Sequence, residues 1–126
     1  MYKVDVENSG DFKFKVKSKD YEFDIDLKGG GITPSDTLLA SLASCIGVYI
    51  RKYAQGAKLD IEGFTVTAQA DLSSERPVSF RSITVNIDLG ASTLDNNRKK
   101  SLLRFVENCP IHNILHINPD IKIKLV

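Results

Sequence analysis

The sequence predicts an α+β fold, and three observations carry that reading. Residues 1–28 alternate apolar with charged side chains at period two, a long apolar helix follows, and the remaining strands and helices come in runs. A parallel α/β sheet would instead alternate strand and helix along the whole chain. The chain of 126 residues suits a single domain, 1–126, able to bury roughly two thirds of its unfolded surface.

Each element has its own justification. Tyr2, Val4 and Val6 alternate with Lys3, Asp5 and Glu7; Phe12, Phe14 and Val16 alternate with Lys13, Lys15 and Lys17; Tyr21, Phe23, Ile25 and Leu27 alternate with Glu22, Asp24 and Asp26. Such alternation marks a half-buried antiparallel sheet. A turn at Lys19-Asp20 sets Lys17 opposite Glu22, Lys15 opposite Asp24 and Lys13 opposite Asp26, although it lacks the glycine that tight hairpins favour. Gly29-Gly30-Gly31 then reads as a flexible connector, since no phosphate-loop Lys-Ser/Thr follows it.

Thr33, Pro34 and Asp36 predict a helix start with N-cap, first residue and capping box. The helix runs to Gln55, with Gly56 as its stop. Its large face carries Leu38, Leu42, Tyr49 and Tyr53; Ala40, Ala43, Ser44 and Gly47 form a small-residue stripe opposite. A helix apolar nearly all round requires burial on both sides, and a second copy of the chain is a plausible other wall. Phe64 to Leu72 and Ile83 to Leu89 alternate as strands, with a bulge expected at Gly63 because Ile61 is out of phase. Ser92 and Asp95 suggest a capping box for a helix through Leu102 and Val106; Cys109-Pro110 opens a short helix ended by Pro119; Ile121, Ile123 and Leu125 predict a final edge strand.

Seventeen Lys and Arg against sixteen Asp and Glu leave a net charge of +1, which argues against partners found by bulk charge, whether nucleic acid or membrane. The lysines at 13, 15, 17 and 19 resemble a nucleic-acid ribbon only until their acidic counterparts are counted. The longest charge-free stretch, Thr37 to Ile50, is too short for a membrane span, and the N-terminus has no apolar signal stretch, so a reducing cytoplasmic setting is expected.

A domain of this size needs no disulfide, so Cys45 and Cys109 are the residues to explain. Cys45, deep in the long helix, is either an inert small hydrophobe or a thiol activated by a cation from elsewhere. Cys109 as an N-cap faces free backbone N–H groups, which lowers a thiol pKa; the alternative is a merely structural cap. Cys109, His112 and His116 share one helix face and, with Cys45, match zinc in ligand type, a third reading. No Gly-x-Ser-x-Gly or His-Glu-x-x-His motif occurs.

Thr33-Pro34-Ser35-Asp36-Thr37-Leu38-Leu39, running on through Leu42 to Cys45, and the later Glu107-Asn108-Cys109-Pro110-Ile111-His112 together resemble the OsmC/Ohr family, the osmotically inducible and organic hydroperoxide resistance proteins. The resemblance covers essentially the whole chain and is closer to the OsmC-like branch. It implies antiparallel sheets packed around a long buried central helix, an intertwined homodimer, and a thiol peroxidase that reduces organic hydroperoxides or hydrogen peroxide. By that resemblance Cys45 is the peroxidatic cysteine, passing through a sulfenic acid. Cys109 is the resolving cysteine, closing a Cys45–Cys109 disulfide that a lipoyl- or thioredoxin-like dithiol reopens. No cofactor is implied. Asp36 matches the acidic position of the OsmC-like branch, and Leu38, Leu42 and Tyr49 would receive the apolar part of the peroxide. The hydroperoxidases pair their peroxidatic cysteine with an N-terminal arginine and follow the helix-opening proline with glutamate. Here no arginine precedes Arg51 and Ser35 follows Pro34, so Arg76, Arg104 or a partner's lysine are the substitute cations. The departure keeps a second class open, a non-catalytic dimeric module binding a small apolar ligand.

Overall fold

The computed structural model describes residues 1–126 and contains three helices and two antiparallel sheets, an α+β architecture. Strands β1 (Asp5–Asn8), β2 (Lys13–Ser18) and β3 (Tyr21–Asp26) precede helix α1 (Pro34–Gly56). Strands β4 (Thr65–Gln69) and β5 (Thr84–Asp88) and helices α2 (Asn96–Val106) and α3 (Pro110–Ile117) complete the order. Contacts divide the chain into two compact units, Met1–Leu39 and Ala40–Val126.

The first unit is the sheet β1-β2-β3 with the opening turn of α1. The β2–β3 register pairs Lys17 with Glu22, Lys15 with Asp24 and Lys13 with Asp26, as the charge pattern predicts. The turn closes without glycine because Lys19 itself adopts φ 55°, a left-handed conformation that L residues adopt at a cost. On the charged face Lys15 lies 3.3 Å from Asp24 and 3.6 Å from Glu22, while Lys17 reaches across to Glu7 of β1 at 3.0 Å. The lysine stripe is thus neutralised within the sheet. On the other face Val6, Val16 and Phe23 stand in register, yet only Val16 is buried; Val6, Phe12, Phe23 and Leu27 are exposed.

The triglycine is more than a flexible connector. A Cβ on Gly31 would fall 2.7 Å from the Asp24 carbonyl oxygen, so only glycine lets the chain lie this close to β3. The Asp26 N–H donates to the Ile32 carbonyl at 3.2 Å and continues that contact.

In the second unit one face of α1 supplies the core. Leu42, Ile46, Ile50 and Ala54 recur every fourth residue and pack with Ile61, Leu102, Val106 and Cys109. β4 and β5 pair Val66 with Ile87 and Ala68 with Val85, placing Val66, Val85 and Ile87 at the edge of that core. Opposite, Ala40, Ser44 and Val48 are exposed, so a single chain buries only one side of this helix, while Gly47 lies against the Phe64 ring.

Four expectations need correction. Helix α1 ends at Gly56 as expected, but the left-handed residue that terminates it is Lys58, at φ 53°, two residues on, where the Leu59 N–H reaches back to the Ala54 carbonyl at 2.8 Å. Gly63 forms no bulge, because residues 59–64 are not a strand; Ile61 is out of phase since it turns into the core before β4 begins. Asp95 is itself the N-cap of α2, accepting from the Arg98 N–H at 2.8 Å, rather than the last residue of a box begun at Ser92. Residues 118–126 form no strand, for a strand needs a neighbour and here Ile121, Ile123 and Leu125 stand exposed without one. No helix is long and apolar enough to cross a membrane.

Candidate functional site

The two cysteines come together in the second unit. Leu42 and Ile46 are anchored in the core, which fixes the rotation of α1 and leaves Cys45 packed at the core's margin, half-buried. Cys109 arrives from the other side. Val106 ends α2 inside the core, the Cys109 N–H donates to the Val106 carbonyl at 3.1 Å, and Pro110 begins α3. Cys109 is its N-cap, the Sγ accepting from the His112 N–H at 3.4 Å. Both thiols are free, and Cys45 packs against the core cluster that holds Cys109, close enough to shift its ionisation.

Their environments differ. Cys109 has no exposed surface, and burial pushes its thiol above the ordinary value of 9.0. The neighbouring Cys45 thiol pushes in the same direction, and the N–H groups of His112 and Ile111 pull the other way. The N-cap position alone predicts a lowered pKa; the structure corrects this, because desolvation together with the neighbouring Cys45 outweighs the cap's two donors. Cys109 therefore holds its proton more tightly than an exposed thiol would.

The helices that carry the two thiols also wall a half-open cleft of about 370 Å³, whose lining includes neither cysteine. Leu42 and Ile46 of α1 and His112, Leu115 and His116 of α3 face Phe80, Arg81, Ser82, Ile83 and Val85. The rings of His112 and His116 stack at 5.8 Å and 8°. No three His, Cys, Asp or Glu side chains gather to hold a metal ion. The Cys109–His112–His116 face does not converge, since the Cys109 sulfur is turned into the core and occupied by its own helix while the imidazoles stack on each other.

The other expected site residues are dispersed. Leu42 lines the cleft; Tyr49 packs on Phe105 at 5.8 Å with Lys52 over its ring; Leu38, in the first unit, is exposed. Asp36 is engaged at the helix start, where its carboxylate accepts from the Thr33 hydroxyl at 2.8 Å and its N–H donates to the same oxygen at 3.2 Å. Of the arginines, Arg51 is committed to the carbonyls of Ile61 and Glu62 and stacks on Phe64, while Arg76 and Arg104 are exposed. Arg81 shares the cleft with α1 and α3. It has no motif around it, and only the packing of the chain before β5 against α3 reveals it.

No curated protein matches the chain in sequence. Among solved structures it is similar to an OsmC-like protein from Mycoplasma pneumoniae, with TM-score 0.80, 19% identity and coverage of 92% of this chain and 87% of that one. It is similar also to an organic hydroperoxide resistance protein OsmC from Legionella pneumophila (TM-score 0.65, 21% identity, 97% and 95% covered). A third, an organic hydroperoxide resistance protein from Elizabethkingia anophelis, gives TM-score 0.65 and 22% identity over 94% and 91%. These establish the fold. The OsmC-like protein family model matches residues 27–124, spanning α1, both cysteines and everything between them. The chain belongs to the OsmC-like protein family.

Proposed function

We propose that the protein is a two-cysteine thiol peroxidase that reduces organic hydroperoxides, and hydrogen peroxide less readily. The observation that carries this reading is the neighbouring pair of free thiols, one half-buried and the other fully enclosed. Cys45 as thiolate attacks one peroxide oxygen; the O–O bond breaks, the alcohol leaves with a proton, and Cys45 becomes a sulfenic acid. Cys109 then attacks the Cys45 sulfur, its proton leaving with the hydroxyl as water, and a disulfide forms. A dithiol of lipoyl or thioredoxin type reopens it by exchange, and no cofactor takes part. Asp36 is a positioning residue, fixing the start of α1 through Thr33.

The working unit in this proposal is a cytoplasmic homodimer, each chain contributing one OsmC-like domain. The exposed apolar face of β1–β3, the open stripe of α1 and the unpaired residues 121–126 support it, since a second copy would cover them. Non-catalytic binding of a small apolar ligand is the second reading, favoured by the cleft walled by α1 and α3. Thiol counting tests the proposal: one equivalent of cumene hydroperoxide should remove both thiols of a chain and yield an intramolecular Cys45–Cys109 disulfide in peptide mass spectra. Retention of both thiols after exposure to excess peroxide favours the binding module.

A further inference from the structure

We infer that His112 and His116 form a two-imidazole site for a borderline divalent transition-metal ion, of the class of Ni²⁺, Cu²⁺ and Zn²⁺. The site does not depend on the function proposed above. The two residues are four apart on α3, the spacing that sets side chains over one another on one helix face and lets a helical His pair share a metal ion. Their rings lie nearly parallel, 5.8 Å between centroids and 8° between planes. Two imidazoles sharing one ion at about 2 Å per nitrogen have ring centres no more than about 6 Å apart, so side-chain rotation alone brings both nitrogens onto it.

One donor is already oriented. The Asn113 amide donates through Nδ2 to the Asn108 carbonyl at 3.5 Å, which identifies Oδ1 as the atom facing His112. That oxygen can only accept, so its 3.4 Å contact with Nδ1 assigns the proton of the neutral His112 ring to Nδ1 and leaves the Nε2 lone pair free. Outer partners of this kind fix tautomer and ring orientation at metal sites. His112 is half-buried and His116 exposed, and both line the half-open cleft, so water can reach an ion there and complete its coordination. The lining holds neither a carboxylate, which Ca²⁺ or Mg²⁺ would require, nor the Cys109 sulfur, which leaves two nitrogen donors. Arg81 is part of the same lining and opposes any cation, so the affinity should fall below that of a site with acidic ligands.

The test is calorimetric titration of Ni²⁺ into the untagged full chain under a phosphine reductant, with Mg²⁺ as the hard-cation comparison. One Ni²⁺ should bind per chain, at least a hundredfold more tightly than Mg²⁺. His112→Ala and His116→Ala should each weaken Ni²⁺ at least tenfold; His116 is exposed, so its truncation leaves the core unchanged. Asn113→Ala should cost roughly tenfold, while Asn113→Asp, which keeps the acceptor, should not. Ni²⁺ should also raise the urea midpoint of the wild type and leave that of His116→Ala unmoved. Cys45→Ser should bind Ni²⁺ as the wild type does. Absence of Ni²⁺ binding at millimolar concentration overturns the inference, as does undiminished affinity in both histidine variants. Loss of binding in Cys45→Ser overturns it too, since the ion would then be held by the thiol.

Discussion

Raising the pH above 9 should destabilise this protein through Cys109, and the effect can be bounded from the structure. The thiol is fully buried and held above its ordinary value of 9.0, chiefly by desolvation. A raised folded-state pKa means that its contribution to stability is intact below the unfolded value. As pH climbs past 9.0 the unfolded chain releases this proton and the folded chain does not, so stability falls until the folded pKa is reached. One proton limits the slope to about 1.4 kcal/mol per pH unit. With roughly 2.1 cal/mol/K of unfolding entropy per residue, that limit corresponds to about 5 °C in Tm per pH unit. Urea unfolding under a phosphine reductant from pH 7 to 10.5 measures it. Because tyrosines and lysines titrate in the same range, the informative quantity is the difference between wild type and Cys109→Ala. That difference should be constant below pH 8 and shift against the wild type above 9. A difference flat through pH 10.5 would refute the argument that burial dominates over the two cap N–H groups.

Three other outcomes follow from the packing. Ile50 has no exposed surface at the centre of the α1 face, so Ile50→Ala should cost about 2–5 kcal/mol, read from the urea midpoint at unchanged m-value. Thr33→Ala removes the hydroxyl that receives the Asp36 N–H and should cost about 0.5–2 kcal/mol, with Thr33→Ser close to wild type. Sedimentation equilibrium should return twice the 14.0 kDa mass of the chain; a monomer at micromolar concentration would contradict the assembly proposed for the exposed apolar surfaces.

The hairpin of β2 and β3 was legible in the sequence residue by residue, because two constraints agree there: Lys13, Lys15 and Lys17 meet acids in the same register that sets Phe14 against Ile25. Slipping that register by one would turn every side chain to the wrong face. The start of α1 and the cap at Cys109 were legible for a similar reason, since each cap is a local hydrogen bond between residues three apart. What escaped depends on distant chain. Lys58 in a left-handed conformation has no sequence signature, and nothing local reveals that Gly31 lies against the Asp24 carbonyl. Residues 121, 123 and 125 carry a strand pattern, but a pattern does not supply the neighbour. The sign of the Cys109 shift is not legible locally, because the cap is local while burial is set by α1, α2 and the core around them. Arg81 has no local signature as a cleft residue, since the cleft exists only once β5 and α3 are brought together.

The central claim is that Cys45 performs the first chemical step. It is tested most directly by peroxide consumption with cumene hydroperoxide and dihydrolipoate, comparing wild type, Cys45→Ser and Cys109→Ser. The wild type should turn over continuously and Cys45→Ser should fall to the uncatalysed background. Cys109→Ser should consume one equivalent, leaving a sulfenic acid on Cys45 that dimedone traps. Peroxide consumption by Cys45→Ser at the wild-type rate would contradict the account.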